Sequence, residues 1–168
     1  NRIALVKSTK VSESDSLAKV ADDLKAGKIE TLFVLGCNPV FSAPSNLQWK
    51  EAQKAAKTVV HLGVEFDETA AEAHWHVPGT HYLEEWSDSL GADGSYMVVQ
   101  PMILPLYGGV SDLRLLAKIV ALSGNEKAST DMLVEVQKTY AEISAISEEK
   151  IGWENLLKKG HLSSVLKI

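Results

Sequence analysis

The sequence predicts an α/β fold, with a Rossmann-like open, mainly parallel sheet flanked by helices and a helical extension at the C-terminal end. Three observations support this prediction. Short apolar runs alternate with stretches of helical periodicity over the first half of the chain, as in parallel sheets with right-handed crossovers. Residues 32–35 form an apolar run with the length of a strand buried on both faces. The last third has helical spacing and caps.

The first half of the chain is predicted to run β-α-β-α-β-α-β. The strands are expected at residues 3–6, 32–35, 58–64 and 75–77. A first helix is expected from a cap at Ser14 or Asp15 to about residue 26, where Gly27 ends it. A second is expected from Ser45 or Asn46 to about residue 57, and a short third over residues 67–73, capped by Asp67.

The second half is predicted to contain an extended run and three helices. Residues 96–100 are apolar and extended, and Pro101 and Pro105 exclude a helix around them. Helices are expected from Ser111 or Asp112 to about residue 122, from Thr130 or Asp131 to about residue 143, and over residues 148–159, with Gly160 as the stop. We therefore divide the chain into an α/β domain, residues 1–122, and a helical extension, residues 123–168, packed on the same domain.

Composition is that of an ordinary globular protein. The 168 residues are 45% hydrophobic and 23% charged, with a net charge of −5. Nucleic-acid binding is not expected, because the chain has no basic cluster. No apolar run is long enough for a transmembrane helix, and no signal peptide is visible. Because a strand-like segment begins two residues after the start, we expect the chain to be an excised piece of a longer protein.

The turn Gly36-Cys37-Asn38-Pro39 directly follows the strand at residues 32–35. Ligands of open α/β sheets bind just outside the carboxyl ends of the strands. Gly36 allows close approach of a ligand to the backbone, and Asn38, which precedes a proline, is expected to be extended with its amide pointing outward. The next helix is expected only near Asn46. The same residues are also typical of a simple strand followed by a turn.

Cys37 is the only cysteine, so an intrachain disulfide and an iron–sulfur cluster held by this chain alone are excluded. A small, half-buried residue is a better interpretation than a nucleophile, because no partner pattern of a thiol enzyme is present. The chain also lacks GxSxG, GxxxxGK[ST] and GxGxxG. Their absence disfavours nucleophilic hydrolases, P-loop NTPases and ordinary dinucleotide-binding enzymes.

Residues 65–88 hold the densest group of acidic and histidine side chains. His74 and His76 would share one face of a strand, and His81 with a carboxylate would complete a four-ligand metal site. The alternative is that these are polar loop histidines bonded to acidic neighbours, and we expect no metal. The adjacent acidic pairs, Asp67-Glu68 and Glu84-Glu85, are more typical of solvated faces or helix starts than of a hydrolytic pair.

Several ordered segments resemble the molybdopterin oxidoreductase superfamily. The family pattern is a strand followed by Gly-x-Asn-Pro, an acidic-Glu-Thr-Ala helix, a short strand ending in proline, and a glutamate loop; here these are residues 36–39, 67–70, 77–78 and Glu84. The set HWHVP, HYLEEW and QPMILPLYGG is most similar to the large iron–sulfur/molybdopterin-like subunit of alternative complex III, a bacterial quinol-oxidising membrane complex. The likeness covers roughly residues 17–122.

The resemblance implies that residues 1–122 are a dinucleotide-binding-like domain that, in catalytic relatives, grips the guanosine-diphosphate arm of a molybdenum bis-pterin cofactor. The residues that it assigns to cofactor binding are Gly36, Cys37, Asn38, Pro39, Asp67, Glu68 and Thr69. It assigns no catalytic residue and no metal ligand, and Cys37 is not a molybdenum ligand. In the alternative complex III branch the cofactor is absent, so we expect none in this fragment, while molybdopterin guanine dinucleotide in the parent stays open.

Three functions follow as hypotheses. The first is a non-catalytic scaffold domain of a molybdopterin-oxidoreductase-like subunit in a membrane-associated, quinol-oxidising complex, with Phe41 filling space that a guanosine needs. The second is a domain that binds the guanosine-diphosphate arm in an active molybdenum oxidoreductase. The third is a small metal-dependent enzyme using His74, His76 and His81. Under the first two, the domain alone is no enzyme and its parent is an oxidoreductase subunit.

The resemblance also implies partners and a location. The expected partners are other domains of the parent chain and subunits of a membrane-bound respiratory complex, with no nucleic acid and no direct membrane insertion. The location implied by the family alone is the outer, periplasmic face of the cytoplasmic membrane.

Overall fold

The computed structural model describes residues 16–91, 93–124 and 129–163. The predicted strand at residues 3–6 and the proposed caps Ser14 and Asp15 lie outside these residues. The predicted α/β fold class is confirmed, with a three-stranded parallel sheet flanked by helices and further helices toward the C-terminal end. Within the described residues the chain divides into two compact units, 16–80 with 107–112, and 81–106 with 113–163.

The first unit is built on a parallel sheet in the order β1-β2-β3. Its elements are α1 (Leu17–Lys25), β1 (Thr31–Leu35), α2 (Pro39–Ser42), α3 (Trp49–Lys54), β2 (Thr58–Gly63), α4 (Glu68–Ala71) and β3 (Trp75–Pro78). Leu32 is in register with Val59, and Val60 with Trp75. All three strands therefore end at one edge of the sheet, where the loops after β1 and β2 meet.

The helices α1 and α3 cover the apolar side chains of this unit. The Ser16 hydroxyl, instead of the expected Ser14 or Asp15, caps α1 by accepting from the Lys19 amide at 3.1 Å. Leu24 and Trp49 pack with Val59 of β2 in one buried cluster. This cluster holds the helices against the sheet and so fixes the loops at the carboxyl end of the strands.

The segment after β1 differs from the prediction. A helix begins at Pro39, not near Asn46, because the Asn38 side chain accepts from the Phe41 amide and proline has no N–H to satisfy at the first helical position. The predicted helix over residues 46–57 is instead a 3₁₀ turn, Ser45–Leu47, followed by α3. Gln48 separates them with a left-handed backbone, φ 48°.

The second unit contains a small antiparallel sheet and three helices. Its elements are β4 (Ser87–Leu90), β5 (Tyr96–Val99), α5 (Asp112–Leu122), α6 (Met132–Ile146), α7 (Trp153–Lys159) and β6 (His161–Leu162), with the strand order β4-β5-β6. Tyr96, Leu156 and Leu162 form its buried cluster. Asp131 caps α6 as predicted, but α7 begins at Trp153 and not near residue 148.

Two strands of this unit were not predicted. β4 is the polar sequence Ser-Asp-Ser-Leu, and β6 has two residues, so neither has an apolar alternation to mark it. The boundary predicted at residue 122 stays a prediction, since the two units describe packing and not the domain ends of a parent protein. Of the helices in the described ranges, none is both long and apolar enough to cross a membrane.

Candidate functional site

The loops that follow β1 and β2 enclose a cleft at the carboxyl edge of the parallel sheet. This strand-end cleft has a volume of about 310 Å³ and is lined by Gly36, Cys37, Asn38, His61, Gly63, Val64, Glu65 and Asp67. An outer cleft of about 600 Å³ is lined by Asn38, Phe41, Glu65, Phe66, Asp67, Glu68 and Ala71. The structure thus brings the two predicted segments, residues 36–39 and 67–69, to one place. Pro39 and Thr69 are buried behind them.

Gly36 occupies a position that requires glycine. Its φ is +60°, and its amide donates to the Leu62 carbonyl at 2.9 Å. A Cβ atom at this position would lie 3.3 Å from Oδ2 of Asp112. The group that approaches Gly36 closely is thus a carboxylate of the same unit, and the approach of a ligand to this backbone stays a prediction.

Asn38 does not point outward, so this expectation was wrong. Its Oδ1 accepts from the Thr69 hydroxyl at 2.7 Å and from the Phe41 amide at 3.3 Å, and its Nδ2 donates to Glu68 Oε2 at 2.7 Å. The hydrogen bond from Asn38 lowers the pKa of Glu68. Asn38 therefore ties the predicted site residues to one another, and its polar atoms are already used.

Thr69 is the buried centre of this network. Its hydroxyl also accepts from the Val40 amide at 3.0 Å, and its carbonyl accepts from Gln53 Nε2 at 3.3 Å. Trp49 Nε1 in turn donates to Gln53 Oε1 at 3.0 Å. Gln53 was not predicted as a buried residue, because nothing in the sequence of α3 marks one polar side chain as buried. These contacts hold the start of α4 rigidly against α3.

His61 is a second residue that the sequence analysis missed. It is only 1% exposed, and its Nδ1 lies 3.0 Å from His76 Nδ1 on the adjacent strand. Among the described residues its Nε2 has no hydrogen-bond partner, and it lies 3.6 Å from Asp67 Oδ1. Phe66 packs edge-on against His76. The only sequence signal is a histidine inside the apolar run Thr-Val-Val-His-Leu-Gly, which also fits a satisfied core histidine.

The three histidines of the metal-site hypothesis each have a different hydrogen-bond partner. His74 lies just before β3, where its Nδ1 accepts from the Val59 amide at 3.0 Å, and His81 Nδ1 accepts from the Leu83 amide at 3.3 Å. His76 pairs instead with His61. Across the three described ranges, no group of three histidine, cysteine or acidic residues is placed to hold a metal ion.

The charge around the clefts is negative. Glu65, Asp67 and Glu68 line them, and within the described ranges no lysine or arginine is among the lining residues. Cys37 is exposed and not half-buried as expected. Partial burial of its sulfur, and then the charges of Asp67 and Asp112, raise the pKa of the thiol. A protonated thiol at neutral pH agrees with the interpretation that Cys37 is not a nucleophile.

Comparison with known proteins shows the fold but not a family. No family model and no curated protein matches the chain. Among solved structures, the chain is similar to acetylene hydratase from Pelobacter acetylenicus, with a TM-score of 0.65 and 16% identity. The match covers 86% of this chain and 20% of that protein. At this identity the likeness shows only a shared fold, and the shared part is one fifth of the length of acetylene hydratase.

Proposed function

We propose that this chain is a non-catalytic scaffold domain of a molybdopterin-oxidoreductase-like subunit. Two independent findings support the superfamily: the ordered motifs around residues 36–39, 67–70 and 77–84, and the fold shared with acetylene hydratase, itself a molybdopterin enzyme. The finer proposal, a subunit of a quinol-oxidising complex of the alternative complex III type, is supported by the motif set HWHVP, HYLEEW and QPMILPLYGG.

The observation that carries the non-catalytic role is the charge of the clefts. Diphosphate groups are held by lysine, arginine or backbone N–H groups at a helix start. Among the residues that the structure describes, three carboxylates line the clefts and no lysine or arginine does. Like charges 5 Å apart repel by about 3 kcal/mol per pair at an effective dielectric constant of about 20. The described side chains of the clefts therefore repel the diphosphate of a pterin dinucleotide and do not hold it.

The Asn38 geometry supports the same conclusion. Binding a cofactor requires hydrogen-bond donors that are free to turn toward it. Both polar atoms of the Asn38 side chain are instead hydrogen-bonded, to Thr69, Phe41 and Glu68. Moving the amide toward a ligand would leave the buried Thr69 hydroxyl without its acceptor, at a cost of about 1–3 kcal/mol. The network thus favours a structural role for the loop.

A second candidate is the binding of the guanosine-diphosphate arm of a molybdopterin guanine dinucleotide. One observation favours it: Phe41 and Phe66 flank the outer cleft and are 76% and 70% exposed. Aromatic faces stack on bases, and the Glu65 and Glu68 carboxylates would accept from the N–H groups of guanine. This arrangement would bind the base but would repel its phosphates.

The proposed partners are the other domains of the parent chain and further subunits of a membrane-bound respiratory complex. The proposed location is the outer face of the cytoplasmic membrane. Both rest on the resemblance. Exposed aromatic side chains, Trp75 and Tyr107 among them, are what a domain that packs against neighbouring modules presents.

The experiment is a titration of the isotope-labelled chain with GDP and, separately, with guanosine, followed by amide NMR shifts. We expect no saturable shift at residues 36–38 and 67–69 with GDP at millimolar concentration. Saturable GDP shifts there would establish the second candidate instead. Shifts with guanosine alone would show that the base site persists and that only the diphosphate is rejected.

A charge-reversal pair tests the physical reason. Glu65 lines both clefts, whereas Glu51 lies on α3 and lines neither. We expect Glu65→Lys to create a saturable GDP response and Glu51→Lys to create none. If GDP causes no saturable amide shifts in the Glu65→Lys variant, the charge of the clefts is not what excludes the diphosphate.

A further inference from the structure

The loop between β5 and α5 in the second unit exposes a group of large apolar side chains. Met102 and Leu104 are 75% and 84% exposed, and Ile103 and Leu106 are also open to solvent. We call residues 101–106 the apolar loop. Single exposed apolar residues are ordinary, but four exposed apolar side chains within five positions are typical of an interaction surface.

The backbone of the apolar loop is held in place. The Met102 and Ile103 amides both donate to the Leu83 carbonyl, at 2.7 and 3.2 Å. The Leu106 amide donates to Glu84 Oε1 at 3.0 Å, while Glu84 Oε2 accepts from the His81 amide at 2.9 Å. These bonds anchor the loop at both ends, so its side chains are presented at little further cost in conformational entropy.

A cleft of about 560 Å³ lies beside the apolar loop, lined also by Glu84, Glu85, Trp86, Arg114, Asp131 and Leu133. Arg114 Nη2 pairs with Glu85 Oε1 at 2.9 Å. This pair is neutral as a whole, so the charges of Glu84 and Asp131 remain. Its described lining residues therefore combine apolar side chains, one of them a tryptophan, with a net negative charge.

We propose that the apolar loop and this cleft form a docking surface for a segment of a partner protein that carries a lysine or arginine among apolar residues. The apolar side chains would cover the loop, and the basic side chain would enter the cleft toward Glu84 and Asp131. Charge complementarity selects this occupant, because a second copy of a chain with net charge −5, or an anionic membrane, would be repelled. The surface lies in the second unit and does not depend on the strand-end cleft, so it goes beyond the proposed function.

The test uses the full chain and two short peptides of equal length, one alternating leucine and lysine, the other alternating leucine and glutamate. We expect the lysine peptide to cause saturable amide shifts at residues 83–86, 101–106 and 131–133, and the glutamate peptide to cause none there. Leu104→Asp should weaken the affinity of the chain for the lysine peptide by about tenfold or more. Leu122→Asp is the matched control, since Leu122 is 88% exposed on α5 and lies outside the cleft.

Four results would overturn the proposal. Equal shifts by both peptides would remove the charge selection, and equal weakening by Leu104→Asp and Leu122→Asp would show non-specific adhesion. A dimer of the free chain that Leu104→Asp dissociates would identify a second copy as the occupant. Shifts of the apolar loop with phosphatidylcholine or phosphatidylglycerol vesicles, without shifts from the lysine peptide, would identify a membrane.

Discussion

His61 and Gly63 lie two residues apart on β2, so their positions share one face of the strand. The imidazole fills the space that a side chain at position 63 would need: a Cβ atom there would lie 2.7 Å from His61 Cε1. The absence of a side chain at Gly63 therefore lets the buried His61 reach both His76 and the neighbourhood of Asp67. At the residue scale, His61 and Gly63 together shape one wall of the strand-end cleft.

We predict that Gly63→Ala destabilises the chain by about 1–3 kcal/mol, because overpacking displaces the His61 ring. The measurement is urea unfolding, and the control is a double-mutant cycle with His61→Ala. In the His61→Ala background the alanine at position 63 should cost much less. An equal penalty in both backgrounds would show that the backbone, and not the imidazole, requires glycine.

Glu84 supplies the pH dependence that we expect at the residue scale. Hydrogen bonds from the His81 and Leu106 amides lower the pKa of Glu84 below its ordinary 4.5. A lowered folded-state pKa stabilises the fold above the unfolded value, and this stabilisation is lost as pH falls through the folded value. Glu84→Gln should therefore reduce the urea midpoint at about pH 7 more than at about pH 3. Glu142→Gln, at an exposed site on α6, is the control and should not reduce the urea midpoint at either pH.

At the element scale, α2 and α4 have four residues each and are too short to be stable alone. Each begins at a side-chain cap, Asn38 for α2 and Asp67 for α4. The Thr69 hydroxyl joins them by donating to Asn38 Oδ1 and accepting from the Val40 amide. The two predicted site segments are thus one hydrogen-bonded structure.

Thr69→Val tests this joint. The isosteric methyl removes two buried hydrogen bonds, and we expect a loss of about 1–3 kcal/mol in the free energy of unfolding. Thr69→Ser keeps the hydroxyl and should cost less. Amide NMR of Thr69→Val should show changes at residues 38–41, and unchanged signals there would contradict the assigned contact.

Tyr96 connects β5 with its neighbours in the second unit. It is buried, and its hydroxyl lies 2.8 Å from Asp88 Oδ2 on β4 and 3.4 Å from the Val136 carbonyl on α6. Burial, and then the Asp88 contact, raise the pKa of Tyr96 far above its usual range. We expect Tyr96→Phe to lower the free energy of unfolding, measured in urea, by about 1–2 kcal/mol. Tyr82→Phe, at an exposed tyrosine, is the matched control and should be neutral.

At the scale of the whole molecule, each compact unit has its own buried cluster. Leu24 belongs to that of the first unit and Leu156 to that of the second, and both are fully buried. Truncation of Leu24 or of Leu156 to alanine should lower the free energy of unfolding by about 2–5 kcal/mol. Native-state hydrogen exchange should show that Leu24→Ala lowers protection mainly in β1–β3, and Leu156→Ala mainly in β5 and α6. Equal loss of protection everywhere would show one cooperative core.

The proposed roles also belong to this scale. The chain covers 20% of the acetylene hydratase chain whose fold it shares, and it presents an acidic strand-end cleft together with an exposed apolar loop. The proposed scaffold role and the proposed docking surface both describe a domain that packs against other parts of an assembly.

Local signals in the sequence were sufficient to predict the parallel sheet. Apolar runs predicted β1, β2 and β3, and capping residues predicted Asp67 for α4 and Thr130 or Asp131 for α6, because these signals act within a few residues. That residues 36–39 and 67–69 contribute to one site was implied by the family resemblance. The superfamily likeness came from the same short segments.

Only the tertiary structure decided where the polar side chains point. Asn38 finds Thr69 thirty-one residues away, and His61 meets His76 across two strands. Such partners leave no local pattern, because a hydrogen bond between distant residues depends on how the chain folds and not on its neighbours in sequence. The negative charge of the clefts and the open apolar loop arise in the same way, from side chains that only folding brings together.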